Sequence, residues 1–112
     1  MKLDFYCLRN CDTCRKAQRA LEAAGHALNV QDIRRDGVPE AVLRAALEAL
    51  GREAFLATRS PTWRTLSEAE RARDPVALML EYPVLMKRPL IIGPGHVSAG
   101  WSKSVQATLL GA

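Results

Sequence analysis

Cys11 and Cys14, in the stretch Asn10-Cys11-Asp12-Thr13-Cys14-Arg15-Lys16-Ala17, are the residues whose type and spacing can do chemistry. The thiolate is the nucleophile and the thiol is not, so the surroundings that ionise one of them decide its reactivity. An apolar run, Leu3 to Leu8, precedes the pair, and Ala17, Ala20, Leu21 and Ala24 follow it at helical spacing. This reads as strand, tight loop and helix, with both cysteines at the helix N-terminus. Orphan N–H groups and the positive end of the helix dipole stabilise an anion there. Cys11 is therefore the candidate nucleophile, with a pKa expected below the free value of ~8.5. Arg15 and Lys16 add positive charge beside it, and Asp12 is read as the helix cap. Residues three apart on a helical turn have Cβ atoms roughly 5–6 Å apart, so a modest adjustment lets Cys11 and Cys14 form a disulfide.

Cys7, Cys11 and Cys14 also spell C-x3-C-x2-C, a spacing used by iron–sulfur enzymes. Cys7 lies inside the apolar strand, where a cysteine acts as a small core hydrophobe. Zinc is not expected, because no second CxxC or His pair accompanies the motif and His26 and His96 are isolated.

The elements that must hold the cysteines follow in order. Leu3 to Leu8 is a central strand, with Leu3, Phe5 and Cys7 on one face and Tyr6 and Leu8 on the other. The first helix runs from about Asp12 to Ala24 and ends at Gly25. Leu28 to Ile33 alternates with period two and reads as a strand, parallel to the first across the helix. Arg34-Arg35-Asp36-Gly37 is a turn, and Pro39 fits the first position of a helix carrying Leu43, Ala46, Leu47 and Leu50 and closed by Gly51. Phe55-Leu56 is a short apolar patch, and Thr58 to Leu66 reads as an ordered loop. Ser67-Glu68-Ala69-Glu70 fits a capping box, and Asp74-Pro75 opens a helix from Val76 to Tyr82 that Pro83 stops. Leu90 to Ile92, the turn Gly93-Pro94-Gly95 and His96 to Gly100 make an antiparallel hairpin. Ser102 caps a last helix to about Leu110, with Val105 and Leu109 inward.

At 112 residues the chain is read as one domain, 1–112. Its net charge of +4 comes from scattered basic residues, which suits small anionic substrates and carries no nucleic-acid motif. No apolar run reaches bilayer-spanning length. The start, Met1-Lys2-Leu3-Asp4-Phe5, lacks the apolar region of a signal peptide, so a reducing cytoplasm is expected, where a CxxC means redox chemistry.

The strand–CxxC–helix resembles the thioredoxin and glutaredoxin superfamily. Cys11-Asp12-Thr13-Cys14-Arg15-Lys16-Ala17, followed by Thr58-Arg59, Trp63-Arg64 and Lys87-Arg88-Pro89, is similar to one branch of it. That branch holds the glutathione-dependent arsenate reductases (ArsC), the Spx-type regulators and their YffB-like relatives. The likeness runs from about Leu3 to Ser102. It implies an α/β, thioredoxin-like fold: a central mixed β-sheet flanked by helices, with a helical insertion between the βαβ unit and the C-terminal hairpin and helix.

The resemblance places Cys11 on the catalytic cysteine. It offers Cys14 as the resolving thiol, where arsenate reductases usually carry serine and Spx-type proteins cysteine. Arg59 and Arg88 fall on two of three anion-binding arginines, and the third falls near Gly100-Trp101, which resembles the Gly-Phe of the Spx-type and YffB-like proteins. Arg15, Arg59 and Arg88 are thus the candidate substrate binders, since guanidinium groups pair oxyanions and carboxylates in bidentate fashion. Pro89 falls on the superfamily's cis-proline. Trp63 and Trp101 are read as partial core.

The expected function is a thiol-dependent oxidoreductase using glutathione as co-substrate with no bound cofactor, acting as a monomer on a small anionic or glutathionylated substrate rather than on arsenate. The alternative is an Spx-like regulator that binds the RNA polymerase α subunit through a Cys11–Cys14 switch, with Gly51 at the polymerase contact.

Overall fold

Strict alternation in the first strand, β1 (Lys2–Cys7), sorts its side chains onto two faces, and each face meets its own core. Leu3, Phe5 and Cys7 pack on one side with Cys14, Ala17 and Leu21 of helix α1 (Asp12–Ala23). Tyr6 lies on the other, in the larger core, with Leu8 packed against it. The computed structural model describes residues 2–111. Met1 and Ala112, the ends of the expected 1–112 domain, lie outside the described residues.

Helix α1 carries the chain back to β2 (Ala27–Asp32), which pairs parallel with β1 in the register Phe5↔Val30 and Cys7↔Asp32. Gly25, at φ 93°, makes the reversal after the Ala24 cap. On the other side of β1 lies β3 (Leu90–Gly93), antiparallel with Phe5↔Ile91, and β4 (His96–Ala99) completes the hairpin. The sheet is mixed and four-stranded, in the order β2-β1-β3-β4, as the α/β thioredoxin-like reading requires. Its central pair, β1 and β3, supplies Leu3, Phe5, Leu90 and Ile91 at 0% exposure. The edge strand β2 leaves Val30 40% exposed.

Between β2 and β3 runs the helical insertion. It comprises α2 (Glu40–Leu50), α3 (Arg52–Phe55), α4 (Pro61–Thr65), α5 (Glu68–Arg71) and α6 (Pro75–Glu81), then a 3₁₀ turn at Pro83–Leu85. Leu43 and Ala46 of α2, Phe55 of α3 and Val76, Leu78 and Met79 of α6 form the core beneath the Tyr6 face. The insertion is tied to the approach of β3 by Ala57 N–H to Leu85 O at 2.6 Å and Lys87 N–H to Phe55 O at 2.8 Å. Helix α7 (Lys103–Leu110) closes the opposite face, with Leu109 buried and Val105 packed beside it.

The capping box at Ser67 and the Asp74 cap before Pro75 form as read. Three local expectations change. Thr58 to Leu66 is not wholly a loop: Ser60 caps α4 and Pro61 fills its first turn, the signal the sequence already carried. Pro39 is the cap of α2 rather than its first residue, because its ψ of 138° is extended. Asp12 is not the cap of α1; Cys11 is, and Asp12 pairs with Arg15 in the first turn. Among the described residues, no helix is long and apolar enough to cross a membrane.

Candidate active site

The site lies beyond the C-terminal ends of the two parallel strands, where open α/β sheets hold their ligands. Cys7 and Asp32 end β1 and β2 side by side, and Ile33 N–H to Cys7 O, 2.9 Å, carries the pairing one step further. The loop after Cys7 turns through Cys11 N–H to Leu8 O at 3.1 Å and delivers Cys11 to the N-cap of α1. Because Tyr6 pairs with Leu90 antiparallel, the residues just before β3 also reach this end of the sheet. That is how Arg88, distant in sequence, comes to face the loop that holds Cys11.

The Cys11 sulfur stands in for the usual cap oxygen and accepts the backbone N–H of Cys14 at 3.4 Å. Partial burial pushes its pKa up. The Cys14 N–H and thiol and the charge and N–H groups of Arg88 push it down and prevail, so the net shift is downward. Cys14, 2% exposed and packed against the β1 face, is pushed up to about 12, mainly by burial. Burial also raises Cys7, whose Sγ lies 3.6 Å from Gln31 O. Two thiols are thus held protonated, and Cys11 is the one that ionises more readily.

Arg88 is anchored from behind. Its Nη1 donates to Val84 O at 2.9 Å and Met86 O at 3.3 Å, and its Nε is buried without a partner among the described residues. The following bond, Arg88–Pro89, is cis, and Pro89 is buried with its carbonyl accepting Gly100 N–H at 3.1 Å.

Cys11 opens into a cavity of ≈ 460 Å³ shared with Arg9, Arg34, Arg35, Arg88 and Asp32. Of the arginines expected there, Arg88 lines it. Arg15 is exposed on α1, paired with Asp12, and lines a neighbouring hollow of ≈ 310 Å³ beside Cys14. Arg59 is exposed in the turn before α4 and does not line the cavity. The structure instead adds Arg9, Arg34 and Arg35. Reading Arg34-Arg35 only as a turn overlooked that it leaves a parallel strand at the same end as the CxxC loop. Trp101 packs partly buried against the Cys14 core and Trp63 against the larger core, between Arg52 and Arg71. Gly51, at φ 84° and ψ 160°, occupies backbone space essentially restricted to glycine.

A mixed sheet begun by a βαβ unit, a cysteine capping the first helix and a cis-proline before β3 define a thioredoxin-like protein. Residues 6–108 match the model of the ArsC family, and the chain belongs to that family. It is 30% identical over 105 residues to an uncharacterised Haemophilus influenzae protein, covering 90% of this chain and 92% of that one. Among solved structures it resembles a YffB protein at TM-score 0.87 and 28% identity, covering 96% of this chain and 98% of the other. An ArsC-related protein of Brucella melitensis is likewise 28% identical, with TM-score 0.73 and 96% and 93% covered. The arsenate reductase of Vibrio cholerae shares the fold, at TM-score 0.74, 20% identity and 99% and 97% covered. The family and site make this an arsenate reductase-like, thiol-dependent oxidoreductase-like protein.

Proposed function

We propose that the protein is a glutathione-dependent thiol oxidoreductase in which Cys11 exchanges with glutathione mixed disulfides. The observation that carries the reading is Cys11 at the N-cap of α1, its sulfur accepting the Cys14 N–H, in a cavity lined by four arginines. The Cys11 thiolate attacks the glutathione sulfur of a mixed disulfide. The substrate's S–S bond breaks, its thiolate leaves and takes a proton from water, and a Cys11–glutathione disulfide remains. A second glutathione thiolate attacks that disulfide at the glutathione sulfur, which frees Cys11 and releases glutathione disulfide. Cys14 offers an alternative resolution once it loses its proton, giving a Cys11–Cys14 disulfide and free glutathione.

Arg88 is proposed to hold an anionic group of the substrate, since its backbone-anchored guanidinium faces the thiol. Arsenate fits less well: Arg59 stays outside the cavity, and Trp101 packs into the core near the place of the third anion-binding arginine. The test is turnover of a glutathionylated peptide with glutathione as reductant, on wild type and Cys11→Ser. Wild-type turnover that Cys11→Ser abolishes supports the reading. Equal rates for the two proteins would remove it.

A further inference from the structure

The four arginines of the cavity are not equivalent. Arg88 bonds backbone carbonyls. Arg35 is engaged by Asp36 through Nε and Nη2 at 3.1 and 3.2 Å. Arg9 and Arg34 are exposed at the cavity and have no carboxylate partner among the described residues. The one carboxylate in the lining, Asp32, is occupied by backbone. Its Oδ1 accepts Arg34 N–H at 2.9 Å and Arg35 N–H at 3.1 Å. Two guanidinium groups therefore stand open on the β2 side of Cys11, across from Arg88.

We propose that Arg9 and Arg34 form a second anion subsite beside Cys11, so that the thiol exchanged there is one whose sulfur lies between two carboxylates. This deepens the proposed disulfide exchange and rests on it. Arg88 takes one carboxylate and the Arg9–Arg34 pair takes the other, which selects a dicarboxylate thiol over a neutral or cationic one. Exposed guanidinium groups act through attraction and orientation more than through tight binding. The subsite is therefore read in the rate of capture and fades with salt.

The test compares exchange of Cys11 with three disulfides: that of mercaptosuccinate, in which each thiol carries two carboxylates; dithiodipyridine, which is neutral; and cystamine, which is cationic. In each, the Cys11 thiolate bonds to one sulfur and the other leaves as a thiolate. The proteins are wild type, Arg9→Ala/Arg34→Ala, Arg9→Lys/Arg34→Lys, and Arg19→Ala/Lys103→Ala, which removes the same charge from positions that do not line the cavity. The alanine pair is expected to lower the anionic-to-neutral rate ratio at least about fivefold and to raise the cationic-to-neutral ratio. The lysine pair is expected to restore part of the first ratio, and the control pair to hold it within about twofold. Rates with the neutral reagent show that the variants are folded with Cys11 intact. An unchanged ratio in the alanine pair, or an equal fall in the control pair, would overturn the subsite and leave the exchange chemistry standing. Failure of wild-type Cys11 to react with the neutral disulfide would overturn both.

Discussion

Limiting neutral disulfide, added near neutral pH, is expected to modify Cys11 far ahead of Cys14. Cys14 at about 12 is ionised to only about one part in 10⁵ near pH 7, while a thiol held below 9.0 is ionised to more than about one part in 10². The difference is at least about 10³ in thiolate. The more basic thiolate is intrinsically the better nucleophile, and a Brønsted slope of ~0.4–0.5 over about three units returns a factor of roughly 16 to 30. What remains favours Cys11 by about 30-fold or more. Burial adds to it, since Cys14 is 2% exposed and Cys7 is 6% exposed. Peptide mapping by mass spectrometry over the first tenth of the reaction measures the ratio. Removing Arg88 as Arg88→Ala should raise the Cys11 pKa and slow its modification, because a lowering influence is lost. Comparable early modification of Cys11 and Cys14 would refute the reasoning.

Three further outcomes are expected. Stability should fall in alkali: Cys14 is raised in the folded chain, so above about pH 9 the unfolded chain binds fewer protons, and near pH 10 the loss is about 1–2 kcal/mol. Urea melts at pH 8 and 10 should show this loss, and Cys14→Ala should shrink it; stability rising with pH would reverse the sign. Arsenate turnover should stay below a kcat/KM of ~10⁴ M⁻¹s⁻¹, checked in a coupled assay with glutathione. Gly51→Ala should cost about 1–3 kcal/mol in the same melts, because its φ of 84° and ψ of 160° strain any side chain; a neutral result would return interest to Gly51 as a contact residue.

Much of this was legible because the signals are local. Alternation along Leu3 to Leu8 separated the two faces of β1, and the cores divide the same way. Ser67 and Asp74 marked their helices through caps that depend on a few neighbouring residues. The place of Cys11 at the helix N-terminus follows from the strand–loop–helix, although the cap itself is Cys11 rather than Asp12, and the influence of Arg88 on the thiol arrives from the far side of the sheet. The arginines at the cavity were harder to place. Arg9 and Arg34 reach the cavity because two parallel strands end at the same level, a fact of register rather than of local sequence. Arg59 belongs to the helical insertion, whose placement depends on the packing of α2, α3 and α6 beneath Tyr6, and no short motif encodes that.

The most direct measurement is the site of the glutathione adduct. The reduced protein is mixed with glutathione disulfide near neutral pH, quenched with acid, and mapped by mass spectrometry. One glutathionyl group on Cys11, with Cys7 and Cys14 unmodified and no adduct on Cys11→Ser, is the expected result. A protein that gains no glutathionyl group, or gains it on Cys7 or Cys14, would contradict Cys11 as the exchanging thiol.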